Sequence, residues 1–342
     1  MQQLAGNLTL ARRTRTYVRA TPFAIACLGF CLVAALLIGW QPLQLSIATV
    51  FLFAGPHNLV EFRYFLTRMP ARWGRSKLFY MTALGGVLLL TTAYVLLYAL
   101  GQSWYLNETA WTVSIALWNT LLLLWLATLV YLRGRQTRGR RDWSWAFAVA
   151  LLLCAGAWAA PVWCSLALVY LHPLVALWFL DRQLKRTRPQ WRKAYHLCLA
   201  ALPLMLALLW LQLAHTPDLP ASGDALAWRI AQHAGAGLLP GVSTHLLVAT
   251  HVFLETLHYG VWLVLMPVVS LGAGGWRADK IPLATRGAGL ARIVRAALVL
   301  GIFAVLALWA GFTIDYTTTR DIYFTCAMAH VLAEAPFLIR LL

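Results

Sequence analysis

An all-α, polytopic membrane protein with about ten transmembrane helices is the fold class this sequence predicts. Three observations carry it. Hydrophobic residues make up 61% of the 342 and charged residues only 11%, more apolar material than a soluble domain of this size buries. The apolar residues gather in runs near the length that crosses a bilayer, and basic residues fill every second connection between those runs.

The elements follow in chain order. Residues 1–21 are polar and rich in arginine, and the apolar run behind them has no small-residue cleavage site, so a retained first helix is expected, with a basic cytoplasmic segment before it. The first four spans are 22–40, 43–66, 78–100 and 109–132. Spans 143–160 and 162–181 are parted only by a turn at Pro161, and 195–213 completes the seventh. The longest outer connection, 214–241, holds Pro217, Pro220 and Gly223 and an amphipathic stretch around Ala225–Ala234, which fits a short interfacial helix or a cap on the bundle. Spans 242–270, 293–312 and 321–340 finish the chain. No internal repeat or second domain is evident, so residues 1–342 are read as one transmembrane domain.

The connections test this count. Arg12, Arg13, Arg15 and Arg19 precede the first span; Arg68, Arg72, Arg75 and Lys77 follow the second; Arg133, Arg135, Arg138, Arg140 and Arg141 follow the fourth. Further clusters follow the sixth (Arg182, Lys185, Arg186, Arg188, Arg192, Lys193) and the eighth (Arg277, Lys280, Arg286, Arg292), and the intervening loops are nearly free of them. The positive-inside rule then places both termini in the cytoplasm and explains the net charge of +17 without nucleic acid, since the basic residues form no single patch. No phosphate-binding glycine loop, G-x-S-x-G elbow or H-E-x-x-H helix occurs, which leaves nucleotide hydrolysis and the common hydrolase chemistries without support. Cys27, Cys31, Cys154, Cys164, Cys198 and Cys326 all fall within spans with no C-x-x-C and read as buried apolar thiols.

Three of the four glutamates follow a histidine by four residues inside apolar stretches: His57/Glu61, His251/Glu255 and His330/Glu334. A carboxylate in hydrocarbon costs several kcal/mol unless neutralised, paired or bound. The i, i+4 spacing sets each pair on one helix face. Measured from the outer ends of their spans, the helical rise places His57 at about 21 Å, His172 at about 16 Å, His251 at about 15 Å, His258 at about 25 Å and His330 at about 14 Å. These histidines lie on even-numbered, inward-running spans, the second, sixth, eighth and tenth, and the fourth span offers only Asn119 at similar depth. His251, Glu255 and His258 form one stripe. Converging imidazoles in a bundle core are how metal sites are built, and a nearby carboxylate either orients a ligating histidine or ligates the metal itself. His245 is turned away from the stripe, His196, His215 and His233 read as solvated, and Asp181 reads as the partner of Arg182. Trp118, Trp178 and Trp262 lie near site depth, where they suit a lipid-access pocket.

The segment Gly55-Pro56-His57-Asn58-Leu59-Val60-Glu61 is similar to the early Pro-His-x-x-x-Asp segment of the Brp/Blh family of membrane β-carotene cleaving oxygenases. Ala329-His330-Val331-Leu332-Ala333-Glu334 resembles that family's final His-x-x-x-Asp. This chain differs in using Glu for Asp, in lacking His-x-x-x-His and in carrying an extra leading span. The resemblance implies a multi-helix fold around a histidine-ligated iron and oxidative cleavage of carotenoid to retinal, carried over to His57, Glu61, His330 and Glu334, with His251 and Glu255 as an inner counterpart.

The expectation is a bacterial inner-membrane protein whose His57, His172, His251, His258 and His330, with Glu61, Glu255 and Glu334, bind one or two transition-metal ions, iron foremost. Its chemistry would be oxygenase or oxidoreductase action on a carotenoid, quinone or other lipid reached from the surrounding membrane. Two alternatives stay open: a haem-binding electron-transfer subunit, and an accessory subunit or transporter with protein partners in the membrane and a His/Glu proton network.

Overall fold

The computed structural model describes residues 20–102, 107–136, 141–219, 224–270 and 280–341. The N-terminal arginines Arg12, Arg13, Arg15 and Arg19, together with Arg138, Arg140, Pro220, Gly223 and Arg277, lie outside the described residues. Among the described residues there is no strand, and the helices are α1 (Ala20–Trp40), α2 (Pro42–Arg68), α3 (Lys77–Gln102), α4 (Glu108–Gln136), α5 (Trp145–Ala159), α6 (Pro161–Thr187), α7 (Arg192–Leu213), α8 (Ala225–His233), α9 (Thr244–Ser270), α10 (Ala288–Ile314) and α11 (Tyr316–Arg340). The protein is all-α and polytopic: every helix except α5 and α8 is long and apolar enough to cross a membrane.

Proline chemistry sets several boundaries. Pro42 opens α2 and Pro161 opens α6, first-turn positions where the missing N–H costs nothing. Ala160, forced out of the helical region by the proline after it, has φ −149° and ψ 67°, which ends α5. In α9 the Met266 amide reaches back five residues to the Val261 carbonyl, widening the turn just before Pro267. The amphipathic stretch in the outer connection is α8, capped by Asp224, whose side chain accepts from the Leu226 and Ala227 amides.

The chain sorts into two compact units, one of residues up to 50 with 173–275, the other of 51–172 with 276–342. In the first, α1 packs on α7 and α9. Phe23 stacks on Trp191 with ring centroids 4.7 Å apart, His245 Nε2 bonds the Gly39 carbonyl at 3.0 Å, and Gly260 leaves room for the Phe30 ring. Trp210 donates to Thr250 Oγ1 at 3.0 Å. Asp181 does not pair with Arg182. It takes both arms of Arg192 (2.8 and 2.9 Å) and His196 Nε2 (2.7 Å), closing the turn between α6 and α7, whereas Arg182 lies over the Trp178 ring. His196 therefore has a structural partner, while His215 is exposed as expected.

In the second unit indole N–H groups bond backbone carbonyls on neighbouring helices: Trp118 to Leu90 (3.0 Å), Trp125 to Thr82 (3.0 Å) and Trp309 to Phe51 (2.9 Å). Trp118 is thus a core staple, not the wall of an access pocket, and in the first unit Trp262 is fully buried against Phe179. Asn119 donates to the Pro161 carbonyl at 3.2 Å, tying α4 to the start of α6. Two cysteines depart from the expected burial: Cys164 is half-buried and Cys326 exposed.

Gly86 makes the α3–α4 contact possible, because a Cβ there would overlap the Trp125 indole, whereas one at Gly85 meets nothing within 4 Å. Gly86→Val is therefore expected to destabilise the protein by about 1–3 kcal/mol through overpacking. Gly85→Ala should leave the thermal unfolding midpoint of the detergent-solubilised protein unchanged or raise it.

Candidate metal centre

Residues of the second unit on three helices build the site. α2 brings His57 and Glu61, α6 brings His172, and α11 brings His330 and Glu334. A proline lies beside the functional residue on each: Pro56 before His57, Pro173 after His172, Pro336 two residues beyond Glu334. Each proline withholds the amide that would have bonded the carbonyl four residues earlier, so the carbonyls of Leu52, Val169 and Leu332 lose that donor at site level. Gly55 lets α10 approach, since a Cβ there would stand 3.3 Å from Leu308 and Val305.

The histidines meet edge to face. His330 is central, with ring centroids 5.2 Å from His57 and 5.0 Å from His172. His57 Nδ1 lies 3.0 Å from the Phe53 carbonyl, an acceptor only, so Nδ1 carries the proton and the lone pair of the neutral ring is on Nε2. His172 Nδ1 lies 3.0 Å from Glu334 Oε2, and the same reasoning puts its lone pair on Nε2 when the carboxylate is ionised. That nitrogen faces His330 Nε2 at 3.2 Å.

The pairing differs from the one the spacing suggests. Glu334 orients His172 on a different helix, not His330 on its own, and His57 is oriented by a carbonyl of its own helix in place of Glu61. Side chains on a helix lean toward its N-terminus, which carries the His57 ring back over Phe53 and away from the residue four positions on.

Glu61 is thereby left without a local role. It is 0% exposed, and neither of its carboxylate oxygens accepts a hydrogen bond. Glu334 is 2% exposed and its Oε1 also lacks a partner. The two carboxylates are near enough to repel one another when both are ionised. His57, Glu61 and His330 each offer a ligand atom within 4.8 Å of the others, and so do His172 and Glu334. Buried oxygens that lack donors, with imidazole lone pairs converging on them, fit a transition-metal cation. The donor set of nitrogens and carboxylates suits iron, zinc or manganese better than a soft ion.

The remaining sequence-selected residues belong to the first unit. His251, Glu255 and His258 lie on α9 and are buried. His251 Nδ1 is 3.7 Å from Glu255 Oε2, the one pair in which spacing along a helix gives a direct contact. His233 of α8, read from sequence as solvated, sets its ring against His251 with centroids 5.0 Å apart. What sequence reasoning passed over at the site itself are Pro173, Pro336 and the Phe53 carbonyl. The His-Pro dipeptide and the Glu-x-Pro triplet were the available signals.

Comparison with protein-family models, with curated proteins and with solved structures finds no match for this chain.

The His172–Glu334 contact predicts an asymmetry. His172→Leu strands a buried carboxylate and should cost about 1–3 kcal/mol in thermal unfolding, whereas the double variant His172→Leu/Glu334→Leu, which removes both partners, should recover most of that loss.

Proposed function

We propose that this integral membrane protein is a non-haem metal oxidoreductase, with one or two ions, iron foremost, held by His57, His172 and His330 and by the carboxylates of Glu61 and Glu334. The observation that carries the reading is the fully buried Glu61 carboxylate without a hydrogen-bond donor beside converging imidazoles. A cation would offset a penalty that no hydrogen-bond donor among the described residues of this unit relieves.

The His172–His330 separation is that of a hydrogen bond between the two rings, and it also suits a shared ion. Two nitrogens about 2.1 Å from one metal lie about 3.0 Å apart at an octahedral angle and about 3.4 Å apart at a tetrahedral one; here they are 3.2 Å apart. Axial ligands on opposite faces of a haem would stand about 4 Å apart, which disfavours this pair as a haem site. His251, Glu255 and His258 stay candidate ligands by residue type.

A bound iron would supply dioxygen activation at open coordination positions. The chain's own contribution is to hold His57 and His172 in one tautomer through the Phe53 carbonyl and Glu334, and to bury the site among apolar helices. That burial supports a lipophilic substrate, a carotenoid, quinone or acyl lipid. The Pro-His-x-x-x-Glu and His-x-x-x-Glu segments, similar to those of the β-carotene cleaving oxygenases, favour the carotenoid. Charge alternation along the chain supports an orientation with both termini cytoplasmic, and a bacterial inner membrane is the setting we propose.

Protein purified after iron-supplemented expression should contain one or two irons per chain and show no Soret band. His330→Ala and Glu61→Ala should each lower the retained iron by about tenfold or more. Absence of stoichiometric metal sinks the proposal. A Soret band lost on substituting His57 or His330 would establish the haem alternative, and metal-independent proton or ion flux a relay.

A further inference from the structure

In the second unit, arginines from three helices gather near their C-terminal ends, with no carboxylate among the described residues there. Arg340, at the end of α11, donates from Nη1 to the Arg68 carbonyl at the end of α2 (2.9 Å). Arg133, in the last turn of α4, donates from Nη2 to the Arg340 carbonyl (3.1 Å). These bonds satisfy terminal carbonyls, but a helix end offers only about half a negative charge, so the guanidinium charges stay largely uncompensated. Among the described residues neither Arg133 nor Arg340 has an acidic partner.

Tyr80 of α3 lies beside these arginines. Its ring is stacked on Trp73 (centroids 5.5 Å apart), with the Arg340 guanidinium 5.5 Å from its centre, and it lies in the electrostatic field of Arg133 as well. The residue is 2% exposed, yet its hydroxyl has no hydrogen-bond partner. The Arg133 Nε is buried and unpartnered too. Both are donors, and a guanidinium has no acceptor to give the phenol proton. A group with several anionic oxygens would offer acceptors to the Tyr80 hydroxyl and to the guanidinium donors alike. Guanidinium forks match phosphate geometry, and basic pockets between helices at a membrane boundary suit a phospholipid headgroup.

We propose that Tyr80, Arg133 and Arg340 form a binding site for a phosphate group, drawn from an anionic phospholipid headgroup or from soluble phosphate. This site is independent of the metal reading: it shares no residue with it and needs no metal.

The test uses the full-length protein, delipidated in neutral detergent. One arm places it in phosphatidylcholine nanodiscs doped with phosphatidylglycerol and counts retained phosphatidylglycerol by native mass spectrometry. The other titrates inorganic phosphate against thermal stability. Saturable binding in the first arm identifies a lipid site, and in the second a soluble-phosphate site. Arg133→Gln should weaken whichever is found by about tenfold, and Tyr80→Phe, which leaves the charge unchanged, by several-fold. Arg135→Gln removes one charge from an exposed position on the same helix and should leave binding unaltered. Should Arg340→Gln fail to fold, Tyr80→Phe and Arg133→Gln still decide the matter. No saturable binding in either arm overturns the proposal. Equal losses for Arg135→Gln and Arg133→Gln, or no loss for Tyr80→Phe, would mean diffuse attraction to a basic surface and would overturn it as well.

Discussion

A carboxylate withdrawn from water must find compensation, and much of the second unit's interior answers to that demand. Glu334 meets it in part through His172, while Glu61 does not meet it within the unit at all. Replacing both by apolar residues would give an easier core to pack. Keeping two acids there, with three imidazoles turned inward, makes sense where the compensating charge is a ligand, so the polar cluster is read as a binding site more readily than as a packing device.

The backbone contributes as much as the side chains. Prolines next to the site on α2, α6 and α11 each withhold one amide from the helix ladder at the level of the histidines. On either side of the histidines α2 and α11 are tied together, by Tyr323 to the Ala54 carbonyl at 3.4 Å and by the Phe65–Phe337 stack with centroids 4.3 Å apart. Local loosening of each helix is thus matched by ties between them, which is a way to hold ligands in place without perfectly regular helices.

What the sequence made legible was what depends on one helix at a time. Span lengths, the break at Pro161, the amphipathic α8 and the shared depth of His57, His172 and His330 follow from composition and a fixed rise per residue. Contacts set by helix rotation did not follow. His172 reaching Glu334, Asp181 choosing Arg192 and His196 over its neighbour Arg182, and His233 lying against His251 all require knowing which faces meet. Of the three His-x-x-x-Glu pairs, each confined to one helix, His251 with Glu255 holds as a direct contact, while His57 turns to the Phe53 carbonyl and Glu334 to His172 of another helix. Cys326 fails for the same reason: an apolar span has a lipid-facing side, and composition does not say which residues occupy it.

The short helix α5 carries a consequence for the lipid around it. Its fifteen residues reach only about 22 Å, less than the roughly 30 Å of a bilayer's hydrocarbon core. Its C-terminal end lies beside the middle of α4: Trp158 donates to Thr120 Oγ1 at 3.0 Å, and the Pro161 carbonyl just beyond accepts from Asn119 at 3.2 Å. The chain therefore turns from α5 into α6 within the apolar layer. Leu151, Leu152 and Leu153 are exposed along α5, so this flank of the second unit offers lipid a shortened wall, and acyl chains beside it would bend or thin to cover it at fractions of a kcal/mol per Å of mismatch.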